Sequence, residues 1–179
     1  MKLKLFIIAF ITLSFASNAQ QRVATKTGTI SFEASTANFE PVAAINTSTS
    51  AILKEDGTLA ILGLIKGFRF KKSLMEEHFN EKFMESDEFP KAKFKGKIKG
   101  FNLSDVSDEA KEYIVNGTLT IHGVDKLVET KVIILKEINV INLKTKFSVA
   151  IADFNIAIKS KIAKKIAKIV NINADLNLK

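Results

Sequence analysis

The sequence predicts an all-β protein, a single antiparallel β-barrel of about eight strands with one or two short helices. Apolar and polar residues alternate with period two through most of the chain, as they do in strands with one buried face. Turn signals such as Glu55-Asp56-Gly57 separate these runs at hairpin spacing. The runs are also long. This favours a closed barrel over a sandwich, because closure removes exposed strand edges.

The first residues of the chain are predicted to lie outside this domain. Two lysines precede the apolar run 5–15, and Ser17 and Ala19 supply small residues at a cleavage site. This pattern predicts a secretory signal peptide over residues 1–19 and a barrel domain over 20–179. The apolar run is shorter than a helix that spans a bilayer. We therefore expect an exported protein, either periplasmic or secreted.

Eight segments have the composition and spacing of strands. In the clearest of them, five lysines alternate with Ala92, Phe94, Gly96 and Ile98, so one face is cationic and the other apolar. The predicted strands are 28–34, 44–53, 58–68, 91–100, 113–122, 127–136, 141–151 and 170–178.

One helix is predicted between the third and fourth strands. Ser73 is placed to cap it, and Glu76 three residues later completes a capping box. The helix should end between residues 80 and 83. Its apolar stripe would consist of Met75, Phe79 and Phe83. The stripe must pack against something, either plugging one end of the barrel or bordering a ligand.

A second short helix, of one or two turns, is predicted over residues 160–168. Ile162, Ile166 and Ile169 are spaced as on one helical face, with lysines between them. The last strand would follow directly.

Composition limits the chemistry that is available. The net charge is +8, but only Arg22 and Arg69 supply guanidinium groups, so a nucleic-acid partner is not expected. No cysteine is present, which excludes disulfides and thiolate metal ligands. The two histidines, His78 and His122, are expected to bond to backbone rather than to a metal. We expect no cofactor.

Catalytic motifs are not found either. The chain has no Gly-x-Ser-x-Gly, P-loop, dinucleotide-binding or His-Glu-x-x-His pattern. The carboxylates clustered around the predicted helix are typical of a solvated face, with a general acid–base pair there as the alternative. The sequence favours a protein that is not an enzyme.

Three blocks of sequence, taken together, resemble one family. They are Ser73-Leu-Met-Glu-Glu-His-Phe-Asn, the run 83–96 beginning Phe-Met-Glu-Ser-Asp-Glu-Phe-Pro, and Gly117-Thr-Leu-Thr-Ile-His-Gly. They are similar to the YceI-like, or polyisoprenoid-binding, family. The resemblance implies a lipocalin-like barrel with a long apolar cavity that binds isoprenoids or other long amphiphilic lipids.

Candidate ligand-binding residues follow from the aromatic content. The chain has fourteen phenylalanines and no tryptophan, and phenylalanine offers apolar area without a polar group to satisfy. These rings suit a cavity for hydrocarbon, although ordinary core packing is the alternative for each. Inward glycines such as Gly63 and Gly96 either leave volume unfilled or mark bends. The candidates for the cavity and its mouth are Phe68, Phe70, Met75, His78, Phe79, Phe83, Phe94, Ile98 and Phe147.

These observations lead to a hypothesis about function. An exported carrier would hold a long-chain amphiphile such as a polyisoprenoid, and each buried methylene would contribute about 0.8 kcal/mol. The lysine stripes would either keep the exterior soluble or attract an anionic membrane surface transiently. The alternative is a filled barrel that serves as a stress-related or surface-interaction module. The oligomeric state, including a homodimer, is left open.

Overall fold

The computed structural model describes residues 21–179, so the predicted signal peptide lies outside the described residues. The described chain forms nine β-strands, one of which has only two residues. They are β1 (Arg22–Ser35), β2 (Ala43–Lys54), β3 (Thr58–Leu64), β4 (Arg69–Phe70), β5 (Lys91–Ile98), β6 (Lys111–Ile121), β7 (Val124–Glu137), β8 (Val140–Ala150) and β9 (Ile166–Leu178). Among these residues, no helix has the length and apolar character needed to cross a bilayer.

Eight of the strands close into an antiparallel barrel, which confirms the predicted fold class. The order is β1-β9-β8-β7-β6-β5-β3-β2, and β2 pairs back with β1. The two-residue strand β4 pairs only with the start of β2, where Ala44 lies opposite Phe70. Closure leaves no long unpaired edge, consistent with the length of the strands.

A tight hairpin joins β6 to β7 through two residues, as another joins β7 to β8. His122 and Gly123 have φ angles of 52° and 72°, and Ile121 pairs with Val124 across the turn. Two successive residues with positive φ are the requirement of the hairpin turn that matches strand twist. At Gly123 a Cβ atom would also lie 2.7 Å from the ring of Phe89. The Thr-Ile-His-Gly block noted in the sequence is therefore a turn of defined geometry.

The predicted helix forms, but not with the predicted cap. Helix α1 runs from Ser73 to His78 and continues as a π-turn, Phe79–Phe83. Lys72 is at the cap position, and no side chain caps the helix. Glu76 instead accepts hydrogen bonds from Arg69 Nη1 at 2.7 Å and from the Phe70 backbone N–H at 3.1 Å. The capping-box prediction was wrong because this carboxylate ties the helix to β4.

The second predicted helix, over residues 160–168, does not form. Residues 160–165 form turns held by local bonds such as Ile162 N–H to Lys159 O, and β9 begins at Ile166. Ile166 pairs with Ser35 of β1. The pairing of β9 with β1 therefore prevails over the helical spacing of the isoleucines. The third predicted strand is also shorter than expected, since a 3₁₀ turn (Ile65–Gly67) follows β3.

The apolar core occupies one half of the barrel, which we call the packed end. This half adjoins the β2–β3 turn, the β5–β6 connection, the β7–β8 turn and the last residues of the chain. Its side chains interlock; Leu143 and Leu176, for example, face each other on paired strands and have no exposed area. The most deeply buried members are Leu53, Leu59, Ile98, Val115, Val132, Ile134, Leu143, Leu176 and Leu178. The opposite half, called the hollow end, adjoins loop 36–42, connection 65–90, the β6–β7 turn and segment 151–165.

Candidate functional site: an apolar cavity in one half of the barrel

The hollow end contains a cavity of about 350 Å³. Side chains of the barrel strands form its walls, and α1, the π-turn and segment 151–165 contribute to its mouth. An apolar cavity of about 150 Å³ stays dry and binds benzene, so this cavity has room for a considerably larger hydrocarbon. Its volume lies within the range of small-molecule sites.

Phe94 lies at the boundary between the cavity and the packed end, together with Leu59, Val115 and Val132, which line the cavity and also belong to the core cluster. It lines the cavity and also packs against the core cluster. Its ring lies over the paired residues Gly96 and Gly117, where added Cβ atoms would come within 2.7 and 2.6 Å of Phe94 Cζ. Gly96 therefore provides space for the ring rather than open volume. Phe94 forms part of the floor of the cavity.

Gly63 differs from Gly96, and it contributes to the open volume. It lines the cavity, and the nearest atom to a Cβ placed on it would be Thr49 Oγ1 at 3.7 Å. No neighbouring ring fills that position. Inward glycines are expected either to leave volume unfilled or to mark bends. Gly63 leaves volume unfilled, and Gly96 does not.

A cluster of four phenylalanine rings forms one wall near the mouth. Phe32 comes from β1, Phe68 follows the 3₁₀ turn, Phe70 belongs to β4 and Phe79 starts the π-turn. The ring centroids of the contacting pairs are 5.1–5.8 Å apart, in stacked, tilted and edge-on arrangements. Such pairs contribute about 0.5–1.5 kcal/mol each beyond their burial. The cluster therefore fixes α1 and the π-turn against the barrel.

Eight of the nine candidate residues lie around the cavity. They are Phe68, Phe70, Met75, His78, Phe79, Phe83, Phe94 and Phe147. The predicted helical stripe thus faces the cavity as a unit. Ile98 does not line it: this residue is 1% exposed and belongs to the core of the packed end. Both Ile98 and Phe94 face inward from β5, but Ile98 lies four residues nearer the packed end.

Sequence reasoning missed two parts of the lining. One is Phe32 of β1, and the other is the set of isoleucines in segment 155–162. Ile156, Ile158 and Ile162 line the cavity although their segment belongs to no regular element. Their alternation with lysine and alanine was the available signal.

His122 connects three elements at the hollow end. Its Nδ1 lies 3.2 Å from the Phe154 carbonyl oxygen, and its Nε2 lies 2.8 Å from Glu85 Oε2. The ring also packs on Phe89, with centroids 4.5 Å apart. Both oxygens are acceptors, so the ring donates to the one that faces its N–H group. The expectation that a histidine bonds to backbone is confirmed for His122.

Few polar side chains reach the cavity. They are His78, Lys93, Thr130, Thr145 and Lys165. Within residues 21–179, no three histidine, aspartate or glutamate side chains cluster in a way that could hold a metal ion. The arrangement suits the burial of a hydrocarbon chain with its polar end directed outward.

Comparison with known families agrees with this geometry. A family model described as a YceI-like domain matches residues 9–178, which confirms the resemblance noted in the sequence. A search of curated protein sequences found no match.

Solved structures share the fold. A polyisoprenoid binding domain from Saccharophagus degradans implicated in plant cell wall breakdown superimposes with a TM-score of 0.77 at 13% identity, covering 89% of this chain and 98% of that one. Burkholderia cenocepacia BcnA gives 0.69 at 17% identity, with 84% and 96% covered. The Campylobacter jejuni YCEI protein gives 0.56 at 18% identity, with 100% and 99% covered. At these identities the similarity establishes the fold.

Proposed function

We propose that this chain, which belongs to the YceI-like family, is an exported carrier that holds the apolar chain of a long amphiphile such as a polyisoprenoid. In this proposal it performs no covalent chemistry. The ligand's tail would lie in the hollow end, above Phe94, and its polar end would be at the mouth near α1. Export is inferred from the signal peptide that the sequence predicts at residues 1–19.

The observation that carries this proposal is that the cavity is large and that its lining is apolar. A space of about 350 Å³ is surrounded almost wholly by aliphatic and aromatic side chains. Each methylene transferred into it from water contributes about 0.8 kcal/mol, so a long chain can bind tightly with few polar contacts. The alternative is a filled barrel that acts as an interaction module. Only the packed end is filled in that way.

The choice of ligand class rests on similarity. The Saccharophagus degradans neighbour is described as a polyisoprenoid binding domain, and the barrel of this chain follows it over most of its length. The lining of this cavity mixes flat phenylalanine rings with branched isoleucine and valine side chains. A methyl-branched isoprenoid chain fits such a lining, and a straight acyl chain is the competing ligand.

The absence of catalysis is likewise a proposal. The polar side chains at the cavity are two threonines, two lysines and one histidine. None of the five is a carboxylate that could pair with His78 as acid and base. A carrier would instead exchange its cargo with a membrane through a transient contact.

Native mass spectrometry of the mature protein, purified without detergent, tests the proposal. We expect a stoichiometric adduct whose extracted mass is that of a polyprenyl or other long-chain lipid. If the protein is purified without lipid, incubation with a polyprenol and with a fatty acid should restore one adduct per chain. Protein that stays ligand-free under both conditions would contradict the carrier function. The same spectra show whether the protein is a monomer or a homodimer.

A further inference from the structure

Segment 155–168 is the most cationic stretch at the hollow end. It contains five lysines, and no acidic residue occurs between Asp153 and Asp175. All five are exposed: Lys159, Lys161, Lys164, Lys165 and Lys168. Within residues 21–179 none of them forms an ion pair, whereas lysines elsewhere do, for example Lys97 with Asp56 at 3.1 Å and Lys144 with Asp175 at 3.4 Å. The positive charge of the segment is therefore not neutralised locally.

The same segment also forms part of the wall of the cavity. Ile156, Ile158 and Ile162 line the cavity from positions that alternate with the exposed lysines. The segment is held to the barrel by few contacts, one of which is the Thr36 hydroxyl donating to the Lys164 carbonyl at 3.2 Å. One stretch of chain thus presents isoleucines to the cavity and ammonium groups to solvent.

Exposed apolar side chains accompany these lysines around the mouth. Leu74 of α1 is 59% exposed, Phe39 of loop 36–42 is 43% exposed and Ile169 at the start of β9 is 51% exposed. The loop contacts both of its neighbours, because Glu40 pairs at 3.0 Å with Lys72, the residue that precedes α1, and Thr36 bonds to the lysine segment. We call this continuous surface, made of α1, loop 36–42 and segment 155–169, the rim.

Lysines mixed with exposed apolar side chains are the features of a surface that lies on an anionic bilayer. Each lysine close to such a bilayer strengthens binding by about fivefold, and apolar side chains enter the headgroup layer. We propose that the rim is a docking surface for an anionic membrane, so that the mouth of the cavity faces the bilayer. This inference rests on the proposed carrier function, because it gives the cargo a direct path between bilayer and cavity.

The lysine stripe of β5 is a less suitable docking surface. It lies on the barrel wall, and one of its members is paired with Asp56. A protein bound through that wall would have its mouth turned away from the bilayer. The rim combines the lysine segment, exposed apolar side chains and the cavity opening in one place. Of its carboxylates, Glu40 and Glu76 are paired with Lys72 and Arg69, and Glu77 is exposed.

Vesicle sedimentation with two matched triple variants tests the assignment. The rim variant carries Lys161→Gln, Lys164→Gln and Lys168→Gln; the wall variant carries Lys91→Gln, Lys95→Gln and Lys99→Gln and loses the same charge. On vesicles of phosphatidylcholine with phosphatidylglycerol, the rim variant should bind about a hundredfold more weakly than wild type, and the wall variant should stay within severalfold of it. Equal losses in both variants, or wild-type binding that does not exceed binding to pure phosphatidylcholine vesicles, would overturn the inference.

A second pair of variants separates apolar insertion from charge. Leu74→Ser should weaken binding about tenfold, whereas Ile138→Ser, at a 91% exposed position of the β7–β8 turn, should not change it. Equal effects of the two would contradict docking through the rim.

Ligand binding without vesicles distinguishes this inference from the proposed function. All of these variants should bind a fluorescent fatty acid as the wild type does, because the altered side chains lie outside the cavity lining. Failure of the wild type to bind both this probe and a polyprenol contradicts the carrier function. The vesicle results decide the docking surface on their own.

Discussion

The two ends of the barrel are built from the same strands but have different interiors. At the packed end, inward side chains of opposing strands meet, and leucines such as Leu143 and Leu176 are fully buried. At the hollow end, the strands alternate in the same way but surround a cavity of about 350 Å³. The connections differ as well: at the packed end the 99–110 connection places Phe101 and Leu103 in the core, whereas at the hollow end α1, the π-turn and segment 151–165 border the cavity. Alternation therefore determines which side chains face inward but not whether the interior is filled.

The largest effect of substitution is expected at the packed end. Leu176→Ala removes a side chain with no exposed area from the core, so we expect the free energy of unfolding to fall by about 2–5 kcal/mol. Ile172→Ala, on the same strand beside the cavity, should cost less, because its side chain already borders open space. Urea denaturation measures both. Equal losses would show that the two ends are packed alike.

Filling the hollow end should separate binding from stability. A Cβ at position 63 makes only ordinary contacts, with Thr49 Oγ1 at 3.7 Å, and Gly63 lines the cavity. Gly63→Leu should therefore extend a side chain into the cavity, and we expect at least about a tenfold loss of lipid affinity with little change in stability. Ala60→Leu, on the opposite face of β3, is the control and should leave affinity unchanged. Fluorescent lipid titration and thermal melting are the measurements. Full affinity in folded Gly63→Leu protein would place the ligand elsewhere.

A smaller effect is expected at His122. His122→Ala removes the contacts to Glu85 and to the Phe154 carbonyl, so stability should fall by about 1–3 kcal/mol. Lipid affinity should remain within severalfold of wild type, because this side chain does not line the cavity. Denaturation and titration of the same sample test both statements. A large loss of affinity without loss of stability would give His122 a direct role in binding.

The smallest effect concerns a turn at the packed end. The Thr58 backbone N–H donates to Asp56, and with a lesser contribution from Lys97 this lowers the pKa of Asp56 from 3.8 to about 2. A carboxylate whose pKa is lower in the folded state stabilises the fold above pH 4, and this contribution is lost as the pH falls toward 2. The melting temperature of Asp56→Ala should thus be slightly below that of wild type at pH 6 and equal to it at pH 2. A difference that persists at pH 2 would assign it to packing instead.

Most of the barrel could be predicted because strand alternation is a local signal. The inward positions of β5, β8 and β9 follow directly from the order of residues. Predictions from local pattern were wrong where tertiary contacts determine the structure. Glu76 bonds to Arg69 rather than capping its own helix, and Ile166 belongs to β9 rather than to a helix.

The site could be predicted only in part, for a related reason. The helical stripe and Phe94 carry a local signal of burial, and both line the cavity. The boundary between core and cavity depends on how the Phe94 ring lies over two glycines on neighbouring strands, which sequence periodicity does not encode. Periodicity therefore predicts Ile98 in the cavity lining, whereas the structure places it in the core beyond that boundary.

The most direct test of the carrier account is a crystal structure with a long-chain fatty acid brominated at its terminal carbon. The account predicts an anomalous bromine peak inside the hollow end, next to Phe94, with the chain running past Phe79 to a polar end at the mouth. A bromine site outside the barrel, or a cavity without density for the chain in protein saturated with the lipid, would contradict it.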